Sequence, residues 1–244
     1  MREPATETEL NTLPNVVLLP LDVTDPAQIV ATAAQAMALG TIEVVVNNAA
    51  IPMAGPIEGT DEAALQKIID TNLLGPIRVT QAFTPHFREN RQGTFVNITS
   101  VAGLVTFPLA SLYHTVKFGL QAFSEGLSYE LAPFGVRVKT VAPGYIRTDF
   151  GAKTRPTTPA PYYDLMTSFQ AVVDRMMDPA TTGSTPDEVA AVVYQAVTDG
   201  QDQVLYVAGS DAQGMYDRRL AVGTEASRRE MGTLFLGTHY APAH

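Results

Sequence analysis

At 244 residues with 45% hydrophobic content, the chain can bury a sizeable core as one domain, 1–244, and no shift in composition divides it. A formal net charge of −9, with twelve scattered Arg and no basic stripe, speaks against a nucleic-acid partner. Zero Cys excludes disulfides and thiolate metal sites, and no apolar run approaches the roughly 18 residues that cross a bilayer, so a cytoplasmic protein without a membrane span is expected.

In chain order, VVLLPL (16–21) reads as a short strand. Asp25 and Pro26 then open a helix to about Leu39, with Asp25 as N-cap, Pro26 in the first turn and Gly40 just past the end. The β-branched run IEVVVNN (42–48) predicts a strand buried on both faces, as in a parallel sheet. A helical stretch from about Asp61 to Asn90 follows. After it come the strand GTFVNIT, a helix near 110–132, the strand VRVKTVA, a long irregular segment, a helix near 186–199 and the strand QVLYVA. Strands separated by helices predict a doubly wound α/β fold with a parallel, Rossmann-like sheet.

Chemistry concentrates in SLYHTVKFGLQAF. Tyr113 and Lys117, four residues apart on a helix, share one face, and Ser100 lies thirteen residues before Tyr113 at the end of a strand. A phenol near pKa ~10 is a poor base at neutral pH unless something shifts it. A cation about 4 Å away at an effective dielectric of ~20 contributes up to about 4 kcal/mol, so Lys117 is expected to pull the Tyr113 phenol down. Four His show no metal-ligand spacing, and Ser100 has no His and acid arranged for acyl transfer.

The pair alone is a weak signal. Together with NNAA (47–50), Asn72, Ser100 and PGYIRT (143–148), in that order, it resembles the short-chain dehydrogenase/reductase family. The resemblance runs from about residue 15 to 210. It implies hydride transfer between NAD(P) and a carbonyl or secondary alcohol, with Tyr113 exchanging the proton. Lys117 is implied to lower the phenol's pKa and bind the nicotinamide ribose, Ser100 to hold the substrate oxygen and Asn72 to link the proton path to solvent. Cofactor contacts are implied for Asp22 and Val23 (adenine), Asn48, Pro143, Gly144, Ile146 and Thr148. Ala50 stands where the family has Gly, adding a Cβ beside the cofactor. Asp22 also reads as a turn residue, Asn47 and Asn48 as a strand-end turn, and Ser100 as a cap.

A dinucleotide fold opens with a strand, a glycine-rich turn and a helix that hold the pyrophosphate, and no such segment is present. The chain thus reads as truncated at its N-terminus by about two strands and one helix, through an internal Met start or a shortened product. The discriminating residues fall in that segment; Arg2 tilts the expectation slightly towards NADP. Two outcomes are open for the sheet. Either 16–21 slides in beside 42–48 as a βαβ unit, the expected one, or 42–48 is left as an unpaired edge.

Residues 149–185 are expected to form a substrate lid. Phe150, Tyr162, Tyr163, Met166, Phe169, Met176 and Met177 suit a bulky lipophilic substrate, or equally the core face of a helix. The relatives' pairing through their long helices implies a possible homo-oligomer, here through 61–90 and 110–132. The alternative reading is a non-catalytic remnant or interaction protein that cannot hold the pyrophosphate.

Overall fold

In the computed structural model the described residues are 1–148, 150, 157–176 and 183–240. Four parallel strands, β1 (Val44–Asn47), β2 (Gly93–Ile98), β3 (Val136–Pro143) and β4 (Leu205–Ala208), form one sheet in the order β1-β2-β3-β4. Each returns to the same edge through a helical crossover, as parallel pairing requires. The helices are α1 (Pro26–Leu39), α2 (Glu62–Ile69), α3 (Gly75–Asn90), α4 (Ser111–Leu131), α5 (Tyr163–Met176), α6 (Pro186–Thr198), α7 (Ser210–Val222) and α8 (Thr224–Leu236).

Strand alternation sorts the core into layers. Val45, Phe95 and Val138 face α3 and α4, meeting Val79, Phe87 and Leu127, and the Phe87 and Phe95 rings lie 4.7 Å apart. On the opposite face Val96 and Val141 meet Val189 and Ala196 of α6. This is the doubly wound α/β fold. A third layer, α5, α7 and α8, packs Phe169, Ala212, Met231 and Phe235 against Val101, Val105 and Ala142. That layer sits beside the carboxyl ends of the strands, where open α/β sheets bind ligands.

The first face also carries a buried polar chain. The Asn47 amide donates to Asn97 Oδ1 at 2.8 Å, Asn97 donates to Ser124 Oγ at 2.8 Å, and Ser124 donates to Leu120 O at 2.7 Å. Linking β1, β2 and α4, it satisfies groups that would otherwise be costly to bury.

One expectation is corrected. Residues 16–21 form no strand, and β1 keeps an edge with no ladder partner among the described residues. Pro20 has no N–H for a ladder. The segment is held locally instead, by Met1 N–H donating to Leu19 O (3.0 Å), Leu21 N–H to Met1 O (2.8 Å) and Thr32 Oγ1 to Pro20 O (2.5 Å). Val17 stays 63% exposed and Val46 of β1 45%. The helical stretch expected over 61–90 is present as α2 and α3 joined by a π-turn, Asp70–Leu74. Within 149–185, α5 occupies what composition alone left irregular.

Candidate active site

The crossovers bring Ser100, Tyr113, Gly144 and Thr148 to the wall of one cavity of about 470 Å³. Ser100 follows β2 and caps the short turn Val101–Gly103. Its Oγ accepts Ala102 N–H at 3.1 Å, donates to Pro143 O at 3.5 Å and hydrogen-bonds the Tyr113 phenol. Ser100 thus caps this turn and also lines the cavity. Pro143 closes β3, and Gly144 N–H donates to Ala208 O at 3.0 Å, which turns the chain beside the cavity.

Tyr113 and Lys117 share a face of α4. The Lys117 ammonium lies over the phenol ring, 5.8 Å from its centroid, and donates to Ile98 O at 2.9 Å. The direction expected for the phenol is corrected. Tyr113 opens one edge to the cavity, yet the protein packed around its hydroxyl disfavours the phenolate and pushes its pKa up to about 12, against the weaker opposing pull of the Ser100 hydrogen bond. Burial likewise pulls Lys117, 2% exposed, down to about 8. Its proton is directed to a carbonyl and its charge sits over the ring, so burial dominates both groups.

A stability signature follows for Lys117. Its folded pKa lies below the unfolded 10.5, so the cost of burying the ammonium is fully present below about 8 and is relieved as pH rises towards 10.5. Relative to Lys117→Met, the wild type is expected to gain about 3 kcal/mol across that window. Urea unfolding at several pH values checks it. A constant difference between the two proteins would show that the ammonium is not held down. Tyr113, with a raised pKa, acts oppositely and only above pH 10.

Asn72 sits at the centre of the π-turn, 1% exposed. Its Oδ1 accepts Ile51 N–H and its amide donates to Ile51 O, both at 2.8 Å, which fixes the segment leaving β1. Asn48 is exposed at the end of β1, whereas Asn47 belongs to the buried polar chain. Asp22 accepts Thr24 N–H (2.9 Å) and Thr24 Oγ1 (2.7 Å), and these bonds hold its carboxyl below the usual range. It makes the turn before α1, while Val23 packs against Gly75. Ile146 points to the α6 cluster and pairs with Ser184 in an isolated parallel bridge. Lys117, Asn72, Asn48, Asp22, Val23, Pro143 and Ile146 are not among the residues that line the cavity.

Of the expected lid residues, Phe150, Phe169 and Met176 line the cavity, Met166 packs into the layer behind it, and Tyr163 is 59% exposed. Tyr162 hydrogen-bonds Glu58, and Met177 lies outside the described residues. The lining residues not read from sequence include Phe107, Phe235 and Asp211. A further group acts behind the wall. His114 Nε2 accepts Phe107 N–H at 2.7 Å, which leaves the ring proton on Nδ1 for Ala102 O at 2.8 Å and ties α4 to the lining segment 101–107. Burial pulls the His114 pKa down, keeping the ring neutral. Its neighbours in sequence gave no metal or triad pattern, so no motif marked it. Among the described residues no cluster of His, Asp and Glu could hold a metal.

The model of the short chain dehydrogenase family matches residues 2–159. The chain belongs to the short-chain dehydrogenase/reductase family. Among its relatives, an uncharacterized oxidoreductase of Schizosaccharomyces pombe is 33% identical over 210 residues, 86% of this chain and 88% of the relative. A solved short-chain dehydrogenase from Streptomyces avermitilis superposes with a TM-score of 0.74 at 31% identity, covering 83% of this chain and 74% of the other. A short-chain dehydrogenase from Burkholderia cenocepacia, solved in complex with NADP, gives a TM-score of 0.70 at 25% identity over 89% of this chain and 79% of its own. As a family member the chain is an oxidoreductase of the nicotinamide-dependent kind. No helix among the described residues is long and apolar enough to cross a membrane.

Proposed function

We propose that this chain transfers a hydride between a nicotinamide cofactor and the carbonyl carbon of a lipophilic ketone or aldehyde, or the corresponding alcohol. One observation carries the reading: the hydroxyls of Tyr113 and Ser100, hydrogen-bonded to each other, converge on a cavity walled by Phe107, Phe169, Met176, Met215 and Phe235. No Lys, Arg or His lines that cavity among the described residues, whereas Asp174 and Asp211 do, which disfavours an anionic substrate.

The residues present fit the nicotinamide end of the cofactor. Gly144 and Thr148 line the cavity, and Thr148 offers a hydroxyl there for the carboxamide. Pro143 and Ile146 shape the loop, Lys117 holds the ribose, and Asp22, Val23 and Asn48 serve the adenine end and the central part. No pyrophosphate contact is assigned, because the described residues hold no glycine-rich turn between a strand and a helix. When bound, the nicotinamide supplies or takes up the hydride. The chain's own residues handle the oxygen. Ser100 donates a hydrogen bond to it, and Tyr113 gives its proton to the forming alkoxide in reduction or takes the alcohol proton in oxidation. After reduction a solvent proton restores the phenol, the Lys117 ammonium over the ring steadies the phenolate until then, and Asn72 keeps the segment beside it in place. The apolar residues of α5 exclude water as a lid over the site.

The matching relatives are oxidoreductases, which does not favour the non-catalytic alternative. Arg2 and the NADP held by the Burkholderia neighbour support NADP over NAD. Titrating NADH and NADPH against the purified protein while following nicotinamide fluorescence tests the proposal. Dissociation constants on the order of micromolar, lower for NADPH, are expected. No binding of either up to about 1 mM would overturn it.

A further inference from the structure

Asp211 enters the site from the first turn of α7, far in sequence from every motif residue. Its Oδ2 accepts Tyr145 N–H at 2.8 Å across 66 residues of chain. The carboxylate fills the space a Cβ on Gly144 would need, and on its other side lies 2.6 Å from the Cβ position of Gly209, whose φ is +102°. Gly144 N–H donates to Ala208 O just before Gly209, and Arg147 N–H and Ser184 O pair at 3.0 Å beyond. The carboxylate is therefore wedged between two glycines, with one oxygen on the first free amide of the 144–148 loop. Asp211 also lines the cavity beside Gly144, Tyr145 and Thr148. The α7 N-terminus favours a negative charge at this position.

We infer that Asp211 is a positioning residue that holds the 144–148 loop in the conformation that faces the cavity, and that Gly144 is required because the Asp211 carboxylate occupies its side-chain space. A charged acceptor on a backbone N–H makes one of the stronger hydrogen bonds a protein forms. The inference extends the function proposed above in one respect only, that the loop so held receives the nicotinamide.

The test separates the two. Amide hydrogen exchange of peptides spanning 143–148 is measured without any cofactor for wild type, Asp211→Ala, Asp211→Asn, Gly144→Ala and the double variant Gly144→Ala/Asp211→Ala. Exchange in Asp211→Ala is expected to be at least about tenfold faster, and Asp211→Asn, whose amide oxygen still accepts from Tyr145, should stay within about threefold of wild type. Gly144→Ala alone is expected to disturb the loop, and adding Asp211→Ala should relieve that disturbance, because the contested space is then empty. Unchanged exchange in Asp211→Ala, or an additive double variant, overturns the inference whether or not cofactor binds. In the second arm, NADPH affinity is expected to fall at least about tenfold in Asp211→Ala. Wild-type binding that Asp211→Ala leaves intact overturns the link to the cofactor. A wild type that binds no nicotinamide overturns the proposed function instead, and the exchange arm still decides the clamp.

Discussion

Tyr113→Phe is expected to lower turnover of a lipophilic aldehyde with NADPH by about 10²–10⁴-fold, the range a positioned general acid contributes. The substitution removes one oxygen and keeps the ring packed under Lys117 and beside Leu112 and Val116. Ser100 loses a partner but retains Ala102 N–H and Pro143 O, so stability should move by no more than about 1 kcal/mol. Thermal unfolding checks the fold, and nicotinamide absorbance checks turnover. Turnover close to wild type would remove Tyr113 from the chemistry. The pH profile of the wild type carries a second expectation, with its sign set by the raised phenol pKa of about 12. Oxidation needs the phenolate, whose fraction grows tenfold per pH unit below that value, so kcat/KM for the alcohol should climb from pH 7 to about 8, above which loss of the Lys117 charge flattens the rise. Reduction needs the phenol and should show no loss from this group over the same range. An oxidation profile that levels off near pH 7 would mean that Lys117 governs the phenol after all, as its spacing alone implied.

That contrast marks where sequence stops being legible. The spacing of Tyr113 and Lys117 fixes which face of α4 they share, because helix geometry is local. How far the ammonium is desolvated, and that it reaches Ile98 O, depends on the packing of β2 and is invisible in the spacing. The β-branched runs located β1 to β4, and Asp25 does cap α1 through Ala27 and Gln28. VVLLPL has the same apolar signature but lacks a ladder partner, since strand character needs a neighbour as well as a propensity. Helices α7 and α8 escaped notice for the opposite reason: they begin at Gly209 and Gly223 with no side-chain cap, and polar residues interrupt their apolar faces. Asp211 and His114 were missed because each acts on backbone groups of a distant or looping segment, a relation no motif spells out.

Asn72→Ala is the substitution from which the largest loss of stability is expected among the site residues. Its amide answers both backbone groups of Ile51, and Ala leaves that N–H and C=O without partners in a part-buried setting. At about 1–3 kcal/mol for each orphaned group, reduced where water can reach, the cost is about 2–4 kcal/mol, or roughly 5–15 °C in Tm for a chain of this size. The π-turn Asp70–Leu74 adds to the effect. A π-turn is rare without specific support, and Asn72 is its buried centre. Once the amide is gone, the turn is expected to relax, shifting Leu73 against Gly119 of α4 and loosening Ile51 and Met53 beside Tyr113. Turnover should therefore fall together with stability, more steeply than cofactor affinity, because the disturbed wall is the one that carries the phenol. Asn72→Asp keeps an acceptor for Ile51 N–H but offers no donor to Ile51 O when ionised, so it is expected to lie at or below Asn72→Ala at neutral pH and to recover in part under mildly acidic conditions, where the carboxyl gains a proton to donate. Urea midpoints for the three proteins at neutral and mildly acidic pH decide the matter: an Ala variant as stable as wild type would mean that the paired bonds to Ile51 do not hold the segment, and a pH-independent Asp variant would mean that the donor half of the pair is not needed.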